Sequence, residues 1–432
     1  MRLIHAALSS ATIQAFNRIL TLALGILIAR GLGADGYGVY SYSIAVMTLL
    51  MVVAEAGVPN LVMREAAASA ALEQWGLLRG VLRSASQFVA ATSTAIMLTG
   101  LLALWLLGDS IAQELRITFL IMLFVLPLSA SANTIVFAIK GLEHVVLSQA
   151  VELLLRPIFL VAIVSSIFIL VPQLRQPTTV MIAQFIAALA VLILGAITLR
   201  KIVPRAAREA APTYQRRAWL RSALPFTLIG GAGIINTHTD IIMLGWFSSS
   251  EEVGIYRVAA QGVTLVGFSL QVVNAIVAPQ FSRLHAQRDV YRLQQIVTES
   301  ARWVLLLAMP VALLLIIAGG TLLRGVFGLE FTSGHAPLAI MAVGQIVNSA
   351  FGSVGFLLNM TGHEAVTARI LWQTALLNIV LNLCFIPPLG MSGAAIATAV
   401  SLALWNLLLY RQVRRKLGIN STAFTIRKNE TA

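Results

Sequence analysis

Charge is what this sequence has least of. Only 11% of its 432 residues are Asp, Glu, Lys or Arg and 58% are apolar, against roughly 25% and 45 to 50% in an ordinary soluble domain. A water-soluble fold is excluded. Cysteine is nearly missing, and the single Cys384 forbids an internal disulfide and any cysteine-based metal cluster. The signatures HExxH, GxSxG and Walker A are absent, so nothing supplies a metal-bound water, an elbow nucleophile or a phosphate cradle. A membrane-embedded polymerase or acyltransferase would gather reactive groups on a long external loop. The longest such loop here, near 324–335, offers only Arg324, Glu330 and His335 as ionisable groups. The sequence therefore calls for no catalysis, no cofactor and no metal. Acids are scarcer than bases, 17 against 30, for a net charge of +13. In a membrane chain this surplus marks loops beside anionic lipid rather than a nucleic-acid partner. A signal peptide is also lacking, since Met1-Arg2 leads into a long apolar stretch with no short h-region or cleavage site, and the first helix is expected to be retained.

What is present is length of hydrophobic run. Crossing ~30 Å of hydrocarbon at 1.5 Å per residue takes about 20 apolar residues. Blocks of that size recur at 8–29, 38–61, 85–107, 117–139, 146–170, 179–199, 223–247, 254–278, 303–323, 336–360, 367–387 and 391–410. They are continuous rather than alternating with period two, which excludes a β-barrel. With the N-terminus inside, 23 basic residues fall in cytoplasmic segments and four, Arg30, Arg116, Arg175 and Arg324, outside. This asymmetry places both termini in the cytoplasm. Segments 64–84 and 283–302 mix Arg with apolar and aromatic residues and predict short amphipathic helices on the inner leaflet.

The longest polar break, Arg200 to Arg221, divides the spans into two groups of six. The expected organisation is an N-terminal lobe over 1–205, a basic cytoplasmic linker over 206–221, a C-terminal lobe over 222–412 and a basic cytoplasmic tail over 413–432. Gly38-Val39-Tyr40 is echoed by Gly254-Ile255-Tyr256, and Gly141-Leu142-Glu143 by Gly362-His363-Glu364. Both echoes match the helix count. The fold class expected is thus an all-α polytopic membrane protein of about 12 transmembrane helices, in two six-helix lobes related by a parallel pseudo-repeat, with a cavity between them.

The same residues carry a resemblance. Arg30-Gly31-Leu32-Gly33-x4-Gly38-x-Tyr40, Arg64-Glu65, Asp240-x3-Leu244-Gly245 and Glu252-Val253-Gly254-Ile255-Tyr256-x2-Ala259 resemble the polysaccharide transporter family, which includes the O-antigen and exopolysaccharide flippases of the multidrug/oligosaccharidyl-lipid/polysaccharide exporter superfamily. The resemblance runs along essentially the whole chain. It implies two six-helix lobes alternating between inward-open and outward-open states, and a flippase moving a polyprenyl-diphosphate-linked oligosaccharide to the outer leaflet for surface polysaccharide biosynthesis. It further implies a bacterial cytoplasmic (inner) membrane, membrane lipid as surroundings, and a polysaccharide polymerase and glycosyltransferases as candidate partners. An ion-coupled multidrug exporter of the same superfamily is the alternative. The lipid II flippase branch typically has fourteen spans and fits less well.

A cation near the bilayer centre costs about 2.5 to 3.5 kcal/mol on insertion scales, so intramembrane charges mark cavities or partners. Arg18 lies mid-span with Asn17 and Gln14 on one helical stripe. Such a stripe either faces the cavity, where the guanidinium fork suits a diphosphate, or is a buried cation satisfied by carbonyls or an acid. Glu152 and Arg156 stand four apart in span five, the spacing of a helical ion pair. Arg257 either carries its charge to the interface or pairs with Asp240, which follows His238 and forms with it a candidate ion-coupling site. Glu55, near the inner end of span two, is a candidate for ion coupling or gating. Cation exporters are expected to show cavity carboxylates, whereas Arg18, Arg156 and Arg257 match an anionic ligand.

Overall fold

The computed structural model describes residues 2–107 and 110–424, with side chains from residue 12 onward, so the side chain of Arg2 and the end of the basic tail lie outside what is described. All regular structure among them is helical. The elements are α1 (Arg2–Glu55), α2 (Val58–Ala71), α3 (Trp75–Leu107), α4 (Gln113–Gly141), α5 (Val145–Gln149), a π-helical turn (Ala150–Leu155), α6 (Arg156–Leu170), α7 (Pro177–Ile202), α8 (Arg205–Glu209), α9 (Arg216–Phe247), α10 (Ser250–Ala286), α11 (Val290–Val326), α12 (His335–Phe351), α13 (Val354–Met360) and α14 (Glu364–Leu417).

Nine of the described helices are long and apolar enough to cross a membrane, or ten when α12 and α13, bent by 41° across a short break, count as one span. Two of the ten are 54 residues long. At 1.5 Å per residue each would reach about 80 Å, far beyond one hydrocarbon thickness. Both are divided by a non-helical glycine. Gly33 takes φ 71° and ψ −178°, and Gly390 takes φ 53° and ψ −134° just after Pro387 and Pro388. Only glycine enters these regions freely, so each long helix is two passes and the count among the described residues is twelve. The expected spans correspond to them. The second ends at Glu55 rather than at 61, because Ala56 (φ 44°) and Gly57 (φ 71°) reverse the backbone and Pro59 opens the next helix. Span five carries its π-turn immediately before Pro157, which has no N–H for the carbonyl of Leu153.

The amphipathic surface helices expected at 64–84 and 283–302 do not form. Each segment is instead two helix ends meeting at a tight turn, with a positive φ at Glu73 (54°) and at Arg288 (56°). Part of each apolar face is buried against protein, while Leu72, Val290 and Tyr291 stay exposed. Ala66 and Leu78 pack with Val203 and Ala207, while Leu284 and Leu293 enter a core with Val304, Leu357 and Leu409. The two turns stand 215 residues apart, and another pair, Glu143 (φ 66°) and Gly362 (φ 79°), stands 219 apart. These offsets match the sequence echoes and give the pseudo-repeat a backbone counterpart.

Contacts divide the chain into two compact units, 1–234 and 235–432. The division falls within α9, beside Gly230, Gly231 and Gly233, thirteen residues beyond the end of the polar linker at 221. In unit 1 the core joins Val62, Val89, Val125 and Leu126 from α2, α3 and α4. The linker is largely ordered onto this unit. Thr213 N donates to Gly76 O at 2.9 Å, Arg79 Nη1 to Ala210 O at 2.7 Å, and a Cβ on Gly80 would overlap the Thr213 carbonyl. In unit 2 the chain leaves α14 through Gly418 (φ 68°) and folds back over 419–424. Asn420 N donates to Gln294 Oε1 at 2.7 Å, Arg302 Nε to Ala423 O at 3.1 Å and Ala423 N to Ala350 O at 3.0 Å.

Candidate functional site

In unit 1 the polar side chains expected in the membrane gather in two places. The first is α1 itself. Arg18 lies midway between Arg2 and the Gly33 kink, about 22 to 24 Å from either end, with Gln14 and Arg18 exposed and Asn17 half-buried. Asn17 Oδ1 accepts from Thr21 Oγ1 at 3.5 Å. The stripe therefore presents its polar groups on a surface rather than enclosing them in the core.

The second place joins four helices. Asn133 Nδ2 of α4 donates to Glu55 Oε1 at the end of α1, 2.9 Å away, and Glu152 lies within electrostatic range of Glu55, Lys140 and Arg156. Arg156 extends the array toward α7. It meets Ser129 Oγ at 3.5 Å, and Gln184, with its amide oxygen turned to the guanidinium, accepts from Arg156 Nη2 and, at 3.2 Å, from Nε. The expected Glu152–Arg156 ion pair does not form within 4 Å. Glu152 sits in the π-turn over 150–155, while the guanidinium of Arg156, at the start of α6, is directed to Ser129 and Gln184 instead. Glu152 is thereby left exposed and Glu55, Asn133 and Arg156 half-buried. An exposed carboxylate about 10 Å from the start of its span needs water or a polar ligand.

In unit 2, Asp240 is 7% exposed and Tyr256 fully buried. Tyr256 Oη donates to Asp240 Oδ2 at 2.5 Å and Ile241 N to Oδ1 at 2.8 Å. Arg257 lies within electrostatic range but makes no ion pair with Asp240 within 4 Å. The carboxylate is already held by Tyr256, the preceding residue, whose side chain points into the core while Arg257 is carried to the next helical position. His238, one helical step from the acid, keeps a buried Nδ1 without a partner.

The sequence reading missed the amides. Asn133 and Gln184 complete the unit 1 array. In unit 2, Asn378 Nδ2 donates to Ser401 Oγ at 3.3 Å, Asn382 Nδ2 to Asn378 Oδ1 at 3.0 Å, and Asn406 Nδ2 to Asn348 Oδ1 at 2.9 Å. These bonds tie α12 to α14 and the two halves of α14 to each other, as amides do between membrane helices. A signal was present, since Gln184 interrupts an otherwise apolar run from Val180 to Leu194 and Asn378 and Asn382 share a helical face.

The family described as polysaccharide biosynthesis protein matches residues 3–285, well over half of the chain. The chain belongs to this family. Among its relatives, the probable low-salt glycan biosynthesis flippase Agl15 of Haloferax volcanii is 27% identical over 176 residues, which are 41% of this chain and 37% of that one. The probable flippase AglR of the same archaeon is 29% identical over 175 residues, 40% of this chain and 37% of that one. The chain thus spans less than half the length of these relatives. Two solved structures share its fold over nearly all of it. The lipid II flippase MurJ, in an inward closed conformation, superposes with a TM-score of 0.74 at 15% identity, covering 94% of this chain and 87% of that one. An inward-facing multidrug resistance transporter of the MATE family gives 0.75 at 13% identity, covering 95% and 98%.

Proposed function

We propose that this chain is a flippase that moves a polyprenyl-diphosphate-linked oligosaccharide from the inner to the outer leaflet by alternating access, in the synthesis of a surface polysaccharide. The observation that carries the reading is the family match over 283 of 432 residues, supported by relatives that are themselves named as probable flippases. The fold does not separate this reading from a multidrug exporter, because both kinds of transporter superpose equally well. The chemistry of the unit 1 cations favours an anionic cargo, since Arg156 is met by the Gln184 amide and the Ser129 hydroxyl rather than by a carboxylate, and Arg18 is exposed midway along its helix.

In this reading Arg18, Asn17 and Gln14 take the diphosphate, with Arg156 and Arg257 adding positive potential. Glu55, Glu152, Asp240 and His238 serve ion coupling or gating. The lobes are 1–205 and 222–412, joined by the basic linker 206–221, with 413–432 as a cytoplasmic tail. Both termini face the cytoplasm of a cell whose inner membrane also holds the polymerase and glycosyltransferases acting before and after the flip. The chain performs no bond chemistry, and membrane potential or an ion gradient drives the cycle.

Deleting the gene tests the proposal. Lipid-linked glycan should accumulate on the cytoplasmic side and the surface polysaccharide should disappear, both restored by the intact chain. Unchanged surface polysaccharide in a strain without a second homologue, or loss of resistance to cationic drugs alone, refutes it.

A further inference from the structure

Unit 1 holds a cavity of about 270 Å³ at the meeting of α2, the first turns of α3 and the start of α9. None of the residues assigned above to cargo or coupling lines it. Its lining is mostly apolar, with Val58, Leu61 and Val81 buried at its base and Phe88 and Trp219 along its sides. Three polar side chains interrupt that lining. Arg216 and Gln87 are exposed, and Ser84, a lining residue, holds a buried Oγ with no hydrogen-bond partner. A buried hydroxyl left unpaired in an apolar wall is uncommon, and a ligand oxygen relieves it.

The cavity lies at the end of the helices that carries Arg79, Arg83, Arg216, Arg217 and Arg221, the end that charge asymmetry assigns to the inner leaflet. Of these cations only Arg216 lines it. Its guanidinium rests 5.0 Å over the Tyr214 ring, while Arg79 is occupied by Ala210 O. The strand of linker that carries Tyr214 is fixed on α3 through Thr213 and Gly76.

We infer that this cavity is a binding site for an anionic glycerophospholipid of the inner leaflet, with one acyl chain in the apolar recess and the headgroup phosphate on Arg216. Hydrocarbon enters because the recess is apolar and of pocket size. Ser84 and Gln87 lie where ester and glycerol oxygens follow the chain. One cation at the mouth matches one phosphodiester, and a guanidinium grips a phosphate through its fork. A transported isoprenoid diphosphate carries more charge than this mouth balances, and it has to leave. Here the cation at the mouth rests on Tyr214, on a linker stretch hydrogen-bonded in place through Thr213. The lipid would act as a retained wedge joining α2, α3 and α9, and it does not depend on which cargo the chain moves.

The test uses the purified full chain, delipidated in detergent and titrated with dioleoyl phosphatidylglycerol, dioleoyl phosphatidylcholine or undecaprenyl phosphate. Retained lipid is counted by native mass spectrometry and the melting temperature is recorded in parallel. Phosphatidylglycerol should remain as a one-to-one adduct and raise the melting temperature, and phosphatidylcholine should be retained less. Arg216→Gln should weaken phosphatidylglycerol retention roughly fivefold, the ratio for ~1 kcal/mol from one basic side chain beside an anionic headgroup. Ser84→Leu, which fills the recess, should abolish it. Should that variant fail to accumulate, Gln87→Glu places a like charge at the mouth and should weaken retention without filling anything. Equal retention of both phospholipids by the wild type and Arg216→Gln overturns the site. Preferential retention of undecaprenyl phosphate overturns the phospholipid assignment and leaves the flippase proposal standing.

Discussion

The hydrogen bond between Tyr256 and Asp240 is the most exacting test of the unit 2 structure. Tyr256→Phe removes one oxygen and keeps the ring, so the packing of a fully buried side chain is preserved. The acceptor left behind is a carboxylate only 7% exposed, with Ile241 N as its remaining donor. A bond of 2.5 Å has the length of a charge-assisted O–H···O⁻ interaction. Hydrogen bonds to charged groups contribute about 1.5 to 3 kcal/mol, while double-mutant cycles between membrane helices average about 0.6 and reach ~1.7 kcal/mol. Neither group here touches lipid, so the expected coupling lies where the two ranges meet, at about 1.5 kcal/mol. The assay is a cycle of Tyr256→Phe, Asp240→Leu and the double variant, read as equilibrium unfolding in mixed micelles. Arg257→Gln serves as the control. Since Arg257 forms no ion pair with Asp240, its removal should couple to Asp240→Leu by less than ~0.5 kcal/mol, the scatter of independent sites. Coupling at or below that scatter for Tyr256, or coupling to Arg257 that exceeds it, would refute the assignment of Tyr256 as the partner of Asp240.

Two further outcomes test the topology and the cargo site. In a Cys384→Ser background, single cysteines at 110, 175 and 250 should react with an impermeant maleimide from outside and those at 212 and 290 only after permeabilisation, and external labelling at 212 would overturn the orientation. Arg18→Ala should lose glycan export while the protein still accumulates and melts normally, with Arg18→Lys recovering only in part because a point charge lacks the bidentate fork. Full export by a well-expressed Arg18→Gln protein would remove Arg18 from the site, and a fall in abundance matching the fall in export would make it a structural residue.

The spans were legible because lipid enforces them. Each pass needs a fixed length of apolar helix with its backbone bonds closed internally, and hydropathy therefore found all twelve, including the two pairs that run together through Gly33 and Gly390. Their ends were less legible, because ends depend on single residues with special backbone angles. Glu73 and Arg288 make their turns at positive φ without being glycine, a conformation that costs energy for such residues and leaves no mark in composition. The in-plane helices failed for a related reason. An amphipathic pattern reports that a face will be covered, not what covers it, and Val203 and Ala207 cover Ala66 and Leu78 where lipid was expected.

Partner choice between helices was the least legible property, and the polar array of unit 1 explains why. In water, burial of apolar area selects neighbours, and periodicity reveals which face will be buried. In lipid that driving force is gone, and small residues and side-chain hydrogen bonds select neighbours instead. The four-residue spacing of Glu152 and Arg156 suggested an ion pair closed within one helix. Arg156 turns instead to Gln184 of α7 and Ser129 of α4, while Glu55 finds Asn133 of α4. A charge that would have been neutralised locally is thus shared among helices through neutral amides, which hold the guanidinium in place without cancelling its charge. That arrangement leaves the cation of half-buried Arg156 without a directly bonded carboxylate, and the exposed Glu152 within electrostatic range of it and of Lys140. In the proposed flippase, a cation and a carboxylate held apart in this way would serve to admit and release an anion against a coupled cation.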